Sequence, residues 1–237
     1  MPQDDHELLR GRIERLADAV AELAMHITML NVIYENASKI NEANFGRIFW
    51  IWQTSSASLA VLAIGRIYDR DKKHKQYSIP AILRYLRSAK CDNVNQLRSC
   101  LSRCPSFFQP PSDLRANQLQ SYALAKTDAF LQKGWFQMRL DRCWSYRDKR
   151  LTHSDFPPPE ATVTMNDLNI LLRFAEAFVS VIGLSFLNVA YGEDTEPSWF
   201  VQSLAGSSSA ALIRLLKKIG TEPIYPTQFA CALPKRL

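Results

Sequence analysis

One ten-residue stretch holds the residue types that can act together on a phosphate group. It runs from Tyr146 to Asp155, and it places Arg147 six positions before His153, the only histidine in the C-terminal half of the chain. Arginine binds and neutralises phosphate, and histidine takes up and releases protons near neutral pH. The stretch therefore suits chemistry on a phosphodiester.

Arg147 falls on an otherwise apolar face of its predicted helix, which covers residues 135–152. The stripe that contains position 147 consists of Phe136, Leu140, Trp144 and Leu151. Burying a guanidinium without a partner costs free energy. We therefore expect Arg147 either to pair with a buried carboxylate or to line a polar cleft that admits an anion.

Helix geometry separates the arginine from the histidine. Residues six apart on a regular helix point about 120° apart, so Arg147 and His153 would not converge on one point. Convergence needs the helix to unwind ahead of the prolines at 157–159, or a site shared between two subunits. The alternative is that Lys149, Arg150 and His153 only stabilise the C-terminal end of the helix through its dipole.

Composition predicts a basic all-α protein. The chain of 237 residues has 8 glycines and no sustained alternation of apolar and polar residues, and its net charge of +6 favours polyanionic partners. Five cysteines, behind an acidic start at Asp4, Asp5 and Glu7, predict a cytoplasmic protein with free thiols and no secretory leader. A metal shared by Cys100, Cys104 and Cys91 or His74 is less consistent with the spacing than free thiols are.

The N-terminal half predicts two long helices. The first has apolar residues at alternating spacings of four and three, which indicates lengthwise packing against another helix of the same chain or, alternatively, a second copy: Leu9, Ile13, Leu16, Val20, Leu23, Ile27, Leu30, Tyr34 and Ala37. The second, residues 44–69, is apolar nearly all round and is expected to be central. Its aromatic residues either stack bases or belong to the core: Phe45, Phe49, Trp50 and Trp52.

The remaining elements are also expected to be helices. Short helices are predicted from an N-cap at Ser78 to residue 89 and over 93–103, and a longer one from a cap at Asp113 to residue 133. Thr164 and Asp167 resemble a capping box that opens a helix to residue 190. We predict a domain over 1–192, with a basic, proline-containing insertion at about 70–112. A partly disordered extension over 193–237 would hold one short helix at 210–219.

The motif and its surroundings resemble the HEPN superfamily, whose signature is an arginine followed a few residues later by a histidine. The wording of residues 146–155 is most similar to the abortive-infection, AbiU-type branch, and the helix end from Ile64 to Asp71, followed by Ser78 and Pro80, supports that branch. The resemblance covers roughly residues 23–191. It implies an all-α, HEPN-like helical bundle with a long N-terminal helix and a flexible C-terminal tail.

The resemblance also implies an activity. Many members are metal-independent endoribonucleases without a cofactor that act as toxins or antiphage effectors, commonly as homodimers whose motifs face one another. Carried onto this chain, His153 would move a proton, Arg147 would stabilise charge on the phosphate, and Asp148 would orient one of these groups. The expected products carry 2′,3′-cyclic phosphate ends.

Other charged residues complete the predicted site. Arg139, Arg142, Lys149 and Arg150 surround the motif and are expected to contact the RNA backbone, unless they are simply a solvated face. Arg66 and Asp69 could support the pocket, although an ordinary surface ion pair between residues three apart on a helix explains them more simply.

Two functions compete with the ribonuclease. One is a catalytically silent HEPN module that binds nucleotide or RNA, and the other is a helical protein-interaction scaffold. A cognate antitoxin is a further expected partner. A membrane is not expected, because the apolar stretches at 48–65 and 177–192 fit buried bundle helices better than membrane spans.

Overall fold

The computed structural model describes residues 3–70, 77–88, 94–103, 109–152, 162–187, 189 and 199–220. All of the regular secondary structure in these ranges is helical, which confirms the all-α prediction. The α-helices are α1 (Gln3–Glu35), α2 (Ala37–Glu42), α3 (Gly46–Tyr68), α4 (Ile79–Leu86), α5 (Val94–Arg103), α6 (Leu119–Leu131), α7 (Gly134–Tyr146), α8 (Met165–Ile182) and α9 (Trp199–Lys218).

The long helix α1 is the axis of the bundle, and α3, α8 and α9 pack along it. Seven positions of the predicted seam, from Leu9 to Leu30, are at most 5% exposed, so the seam is used within the chain. Its last two positions were predicted wrongly. Tyr34 is 75% exposed and Val32 and Ile33 are buried instead, because a straight α-helix drifts about 20° per heptad away from a strict seven-residue repeat.

Helix α3 is only half buried, which corrects the prediction that it is central. Its C-terminal half, including Val61, Ile64 and Ile67, lies in the core. Its N-terminal half and one face of the remainder expose large apolar side chains to solvent: Ile48, Trp50, Ile51, Trp52, Leu59 and Leu62. Phe49 is buried and packs against the Trp52 ring, with 5.3 Å between the ring centroids. The aromatic residues are therefore divided between core and surface.

An aromatic cluster joins the helices that carry and flank the motif. Phe130 of α6 stacks on Phe174 of α8 with 4.7 Å between ring centroids, and Tyr68 of α3 meets Phe136 of α7 edge to face at 5.7 Å. The Tyr68 hydroxyl donates a hydrogen bond of 2.5 Å to the Leu171 carbonyl oxygen of α8. Burial raises the pKa of this phenol well above its usual range, so Tyr68 stays a donor. The N-terminal turn of α7 is thus packed against α3, α6 and α8.

The predicted short helices occur, but one predicted cap does not. Ser78 caps α4 as expected, because its hydroxyl oxygen accepts from the Ala81 amide at 3.4 Å. Residues 116–118 form a 3₁₀ turn and α6 begins only at Leu119, so the prediction that Asp113 caps a helix was wrong. The apolar residues of α4 and α5 enter the main core, so these parts of the predicted insertion belong to the bundle.

The helix in the C-terminal region is longer than the sequence predicted. Helix α9 has 20 residues, where a short helix at 210–219 was expected. Leu212, Ile213 and Leu216 are buried in a second apolar cluster with Val32 of α1 and Phe49 of α3. Helix α9 is therefore packed onto the bundle.

Within the described residues, three helices are long and apolar enough to cross a membrane, judged by length and composition alone. They cover residues 6–35, 46–68 and 165–187, and the fractions of their most apolar windows that lie buried within the protein are 72%, 39% and 67%.

Candidate active site

The α-helix that carries the motif changes geometry at the arginine. Helix α7 ends at Tyr146, and a π-helical turn follows over Arg147–Thr152, where a continuous α-helix had been predicted. Short π-helical segments are rare in proteins and concentrate at functional sites. His153 and the rest of the motif lie outside the residues that the structure describes, so the expected convergence of His153 on Arg147 stays a prediction.

Arg147 lies against α3 at a glycine. A Cβ atom placed on Gly65 would be 3.3 Å from Nη1 of Arg147 and 3.6 Å from its Cδ, so the side chain crosses α3 where that helix has no side chain of its own. The Arg147 side chain is 31% exposed. It is neither buried in the core nor extended freely into solvent.

The guanidinium of Arg147 is paired with its neighbour in sequence. Its Nε donates to Oδ1 of Asp148 at 2.7 Å, and the Asp148 side chain is 55% exposed. This ion pair is open to solvent, unlike the buried pair that the apolar stripe made conceivable. The structure thus brings two of the three predicted catalytic residues together at the protein surface.

Two of the arginines expected to bind RNA hold α7 to the start of α8. Arg142 forms a two-pronged ion pair with Asp167 through Nε and Nη2, and Nε of Arg139 lies 3.4 Å from the same carboxylate. Arg139 also donates to the Trp135 carbonyl oxygen at 2.6 Å. The Asp167 side chain is only 2% exposed, so this carboxylate anchors both guanidinium groups from within the protein.

Asp167 has a second role in the predicted capping box. Its Oδ2 accepts from the Thr164 amide at 3.0 Å while the Thr164 hydroxyl accepts from the Asp167 amide at 3.1 Å, which confirms the box. Burial alone would raise the pKa of Asp167, but the hydrogen bonds from Arg142 and Thr164 outweigh burial and lower it. Asp167 therefore fixes both ends of the segment that carries the motif, from α7 to α8.

Replacing Asp167 with asparagine is expected to lower the free energy of unfolding by about 2–4 kcal/mol, because two partly buried guanidinium groups lose their counter-charge. In a domain of this size that corresponds to a fall of roughly 4–16 °C in the melting temperature, measurable by calorimetry. Thr164→Ala, which removes only the cap, should cost about 1 kcal/mol.

The pH dependence provides the check on this prediction. The pKa of Asp167 is lowered in the folded state, so its contribution is complete above the unfolded pKa and disappears as the pH falls through the lower, folded value. The stability gap between wild type and Asp167→Asn should be full at pH 7 and shrink well below pH 4. A gap that stays constant into acid would contradict the ion-pair explanation.

Arg66 and Asp69, which were predicted to support the pocket, contact other residues in the structure. Arg66 reaches across to α1, where its Nη2 lies 2.5 Å from Oε2 of Glu22. The Asp69 carbonyl oxygen accepts from the Ser78 hydroxyl at 2.7 Å, which ties the end of α3 to the cap of α4. Next to Arg66 and Glu22, the pKa of His26 is lowered, chiefly by burial. Arg66 therefore links α3 to α1, and pocket support by Arg66 and Asp69 stays a prediction.

The remaining predicted residues divide by location. Lys149 is exposed on the π-helical turn, and the side chain of Arg150 lies outside the described atoms. Sequence reasoning missed Gly65, Glu22 and the anchoring role of Asp167. Gly65 carried a detectable signal, since a glycine in a helix interior is unfavourable unless something needs the space. Glu22 carried none, because its partner is 44 residues away.

A metal site is not formed by the described part of the chain, where no three His, Cys, Asp or Glu side chains cluster. Cys143, beside the motif, is fully buried as a free thiol, and burial raises its pKa to about 12. It is therefore a core residue and not a nucleophile.

These features define an all-helical bundle with an arginine–aspartate pair at the end of a core helix. A family model described as AbiU2, of the HEPN type, matches residues 13–197. The match covers more than half of the chain, and the chain belongs to this AbiU2 family of the HEPN superfamily, which confirms the resemblance. It is thereby related to abortive infection. Searches of curated proteins and of solved structures gave no match.

Proposed function

We propose that this protein is a metal-independent endoribonuclease whose active site is built from Arg147, Asp148 and His153. The observation that carries the proposal is the seating of Arg147: it is partly exposed, held between Gly65 and the Asp148 carboxylate, and placed where the α-helix gives way to a π-helical turn. Membership of the HEPN superfamily supports the same assignment.

The proposed reaction is transesterification within the RNA strand. His153 takes the proton from a ribose 2′-hydroxyl, and the 2′-oxygen attacks the adjacent phosphorus. The bond from phosphorus to the 5′-oxygen of the next nucleotide breaks, that oxygen takes a proton from water, and His153 returns the proton it accepted to solvent. The products are a 2′,3′-cyclic phosphate and a 5′-hydroxyl end. Arg147 stabilises the extra negative charge on the phosphate oxygens, and Asp148 orients its guanidinium through Nε.

The test is cleavage of labelled single-stranded RNA by purified protein in excess EDTA. We expect products with 2′,3′-cyclic phosphate ends. Mass spectrometry identifies these ends, and so does their resistance to a phosphatase that removes only terminal monophosphates. RNA binding without cleavage would favour the silent module. Neither binding nor cleavage would favour the protein-interaction scaffold and overturn the proposal.

RNA contact is proposed for the basic residues around the motif. Lys149 is exposed on the π-helical turn next to Arg147, and Arg150 follows it in sequence. Arg139 and Arg142 are 17% and 22% exposed and are anchored by Asp167, so they would add positive charge to the rim without moving toward the ligand. Binding that weakens as salt is raised would fit these backbone contacts.

The family also supports a proposal about the biological role of the protein. We infer a cytoplasmic effector or toxin of abortive infection that acts on cellular or phage RNA and has a cognate antitoxin. Induced expression should arrest growth of a bacterial host, whereas an Arg147→Ala variant produced at the same level should not. Equal arrest by both proteins would remove the link between toxicity and the site.

We further propose that the protein forms a homodimer through the exposed face of α3. This α3 surface comprises Ile48, Ile51, Trp52, Ser55, Leu59 and Leu62, all exposed. Positions 48, 52, 55, 59 and 62 repeat the four-and-three spacing by which one helix packs lengthwise on another. No charged residue occurs from 48 to 65, so contact with an identical surface desolvates no charge.

The size of the α3 surface suits a second copy of the chain. With Trp50, its exposed apolar side chains amount to roughly 500 Å², so a symmetric pair of these surfaces would bury about 1,000 Å² in total, the lower end of the range for a specific interface. Membrane insertion of α3 is disfavoured, because its C-terminal half is buried in the core and would have to leave it. An interfacial helix would also be expected to carry lysine or arginine along the apolar region.

Leu59→Glu combined with Leu62→Glu is expected to convert the dimer to a monomer, because each subunit would place two carboxylates in the interface. Light scattering at micromolar concentration measures the outcome. Leu8→Glu is the matched control: Leu8 is 44% exposed and lies about 21 Å along α1 from Glu22, which pairs with the end of α3.

Each outcome of this experiment decides something. A wild-type monomer at every accessible concentration would refute the dimer. A dimer that persists in the double variant would place the interface elsewhere. Co-sedimentation of the wild type with anionic vesicles, abolished by the double variant, would assign the surface to a membrane. If the wild type is a monomer and the double variant loses RNA binding, the surface would be assigned to RNA.

A further inference from the structure

Gly65 is the described helical glycine that faces a functional side chain. It is buried in the last turn of α3, and its missing Cβ would lie 3.3 Å from Nη1 and 3.6 Å from Cδ of Arg147. Two other helical glycines, Gly11 in α1 and Gly206 in α9, have nothing within 4 Å of the same position. Glycine in a helix interior is less favourable than alanine, so its use here calls for a physical reason.

We propose that Gly65 is a positioning residue whose missing side chain sets the location of the Arg147 guanidinium. The expected effect on catalysis rests on the proposed function. The contact between Gly65 and the Arg147 side chain does not depend on it. Arg147 is held on one side by the backbone of α3 at Gly65 and on the other by Asp148, through the 2.7 Å bond to Nε. Both the aliphatic stem and the charged head of Arg147 lie over the same glycine.

A methyl group at position 65 would push the arginine outward. A contact of 3.3 Å is closer than nearly all real Cβ contacts, so Nη1 would have to shift by a few tenths of an ångström. The helix backbone cannot retreat, because its neighbours Ile64 and Ile67 are fully buried. The displacement therefore falls on Arg147, and it moves the guanidinium relative to a bound phosphate while leaving the bundle intact.

The variant Gly65→Ala is expected to separate stability from activity. Alanine favours the helix, so the melting temperature should stay within about 2 °C of wild type or rise. The turnover number should fall about tenfold with KM changed less than twofold, because catalysis by fixed charges is sensitive to small displacements. Gly11→Ala and Gly206→Ala, the matched controls, should keep the turnover number of the wild type.

A readout independent of activity is the ¹H–¹⁵Nε resonance of Arg147, assigned by its loss in Arg147→Lys. Gly65→Ala should shift this resonance, whereas Gly206→Ala should not. If Gly65→Ala shifts the resonance but the wild type cleaves no RNA, the positioning of Arg147 by Gly65 is supported and the proposed function is refuted. Cleavage by the wild type, with neither the resonance nor the turnover number changed in Gly65→Ala, would overturn the positioning role.

A double variant keeps the proposal testable if Gly65→Ala is itself unstable. If that protein is unstable because of a clash with Arg147, the double variant Gly65→Ala/Arg147→Ala should recover a melting temperature at or above that of Arg147→Ala alone. A double variant that stays as unstable as Gly65→Ala would show that the methyl group collides with something else, and the proposal would be wrong.

Discussion

Replacing His153 with alanine is expected to lower the turnover number for RNA cleavage by about 10²–10⁴-fold, the usual contribution of a general acid or base. The reaction needs a group that removes the 2′-hydroxyl proton, and the neighbouring candidates do not suit this role. Arg147 is permanently charged, and the carboxylate of Asp148 is engaged by Arg147 Nε. RNA affinity should change little, because the lost function is proton transfer.

The melting temperature of His153→Ala should stay within about 2 °C of wild type, since the role proposed for His153 is proton transfer and not packing. The core side of α7 is made by Phe136, Leu140 and Cys143, all upstream of the motif and at most 1% exposed. Lys149→Ala is the matched control at the same end of α7: it should weaken RNA binding and its salt dependence and leave the turnover number unchanged. Cleavage by His153→Ala at the wild-type rate would remove the catalytic assignment.

Much of the fold was predictable because local patterns determine it. The seam from Leu9 to Leu30 and the capping box at Thr164 both occur as the sequence indicated. The predictions failed where the backbone geometry departed from the one that the local sequence pattern assumes. Tyr34 continues the heptad spacing but is exposed, because the repeat of α1 drifts along a helix of 33 residues. Asp113 is a good capping residue, yet a 3₁₀ turn delays the start of α6.

The exposure of α3 shows what periodicity cannot reveal. An apolar stripe in the sequence indicates that burial of that face is favourable, but it does not indicate whether the same chain buries it. Ala60, Ile64 and Tyr68 are covered by α1, α7 and α8, whereas Ile48, Ile51 and Leu59 on the outer face are not covered. The prediction of a central helix was correct in hydrophobicity and wrong in expecting the rest of the chain to cover the whole of α3.

The site was predictable in its residue types and not in its supports. The sequence pointed to Arg147 and Asp148, and the structure pairs them. It also named Arg142 and Asp167 for separate reasons, as an RNA contact and as a helix cap, and only the fold shows that they bind each other across 25 residues. Long-range partners such as Glu22 for Arg66 leave no trace in local spacing, because only the packing of α1 on α3 brings them together.

Arg147 provides the second large expected effect. Arg147→Lys keeps the positive charge but loses the Nε–H that binds Asp148 and the planar group that donates two parallel hydrogen bonds to a phosphate. The turnover number should fall about 10²–10³-fold, the typical cost of removing one donor from a preorganised anion site. Affinity for RNA should remain within roughly threefold of wild type, since a surface charge still faces the backbone.

Arg147→Ala separates charge from geometry. It should lose a similar factor in turnover, and in addition its RNA affinity should become less dependent on salt, by about one phosphate contact. Asp148→Asn is the matched control: an amide oxygen can still accept from Nε, so the arginine should stay in place and the turnover number should fall much less. If Arg147→Lys cleaves RNA nearly as fast as wild type, charge alone suffices at this position. The arrangement of Arg147 against Gly65 and Asp148 would then have no catalytic purpose.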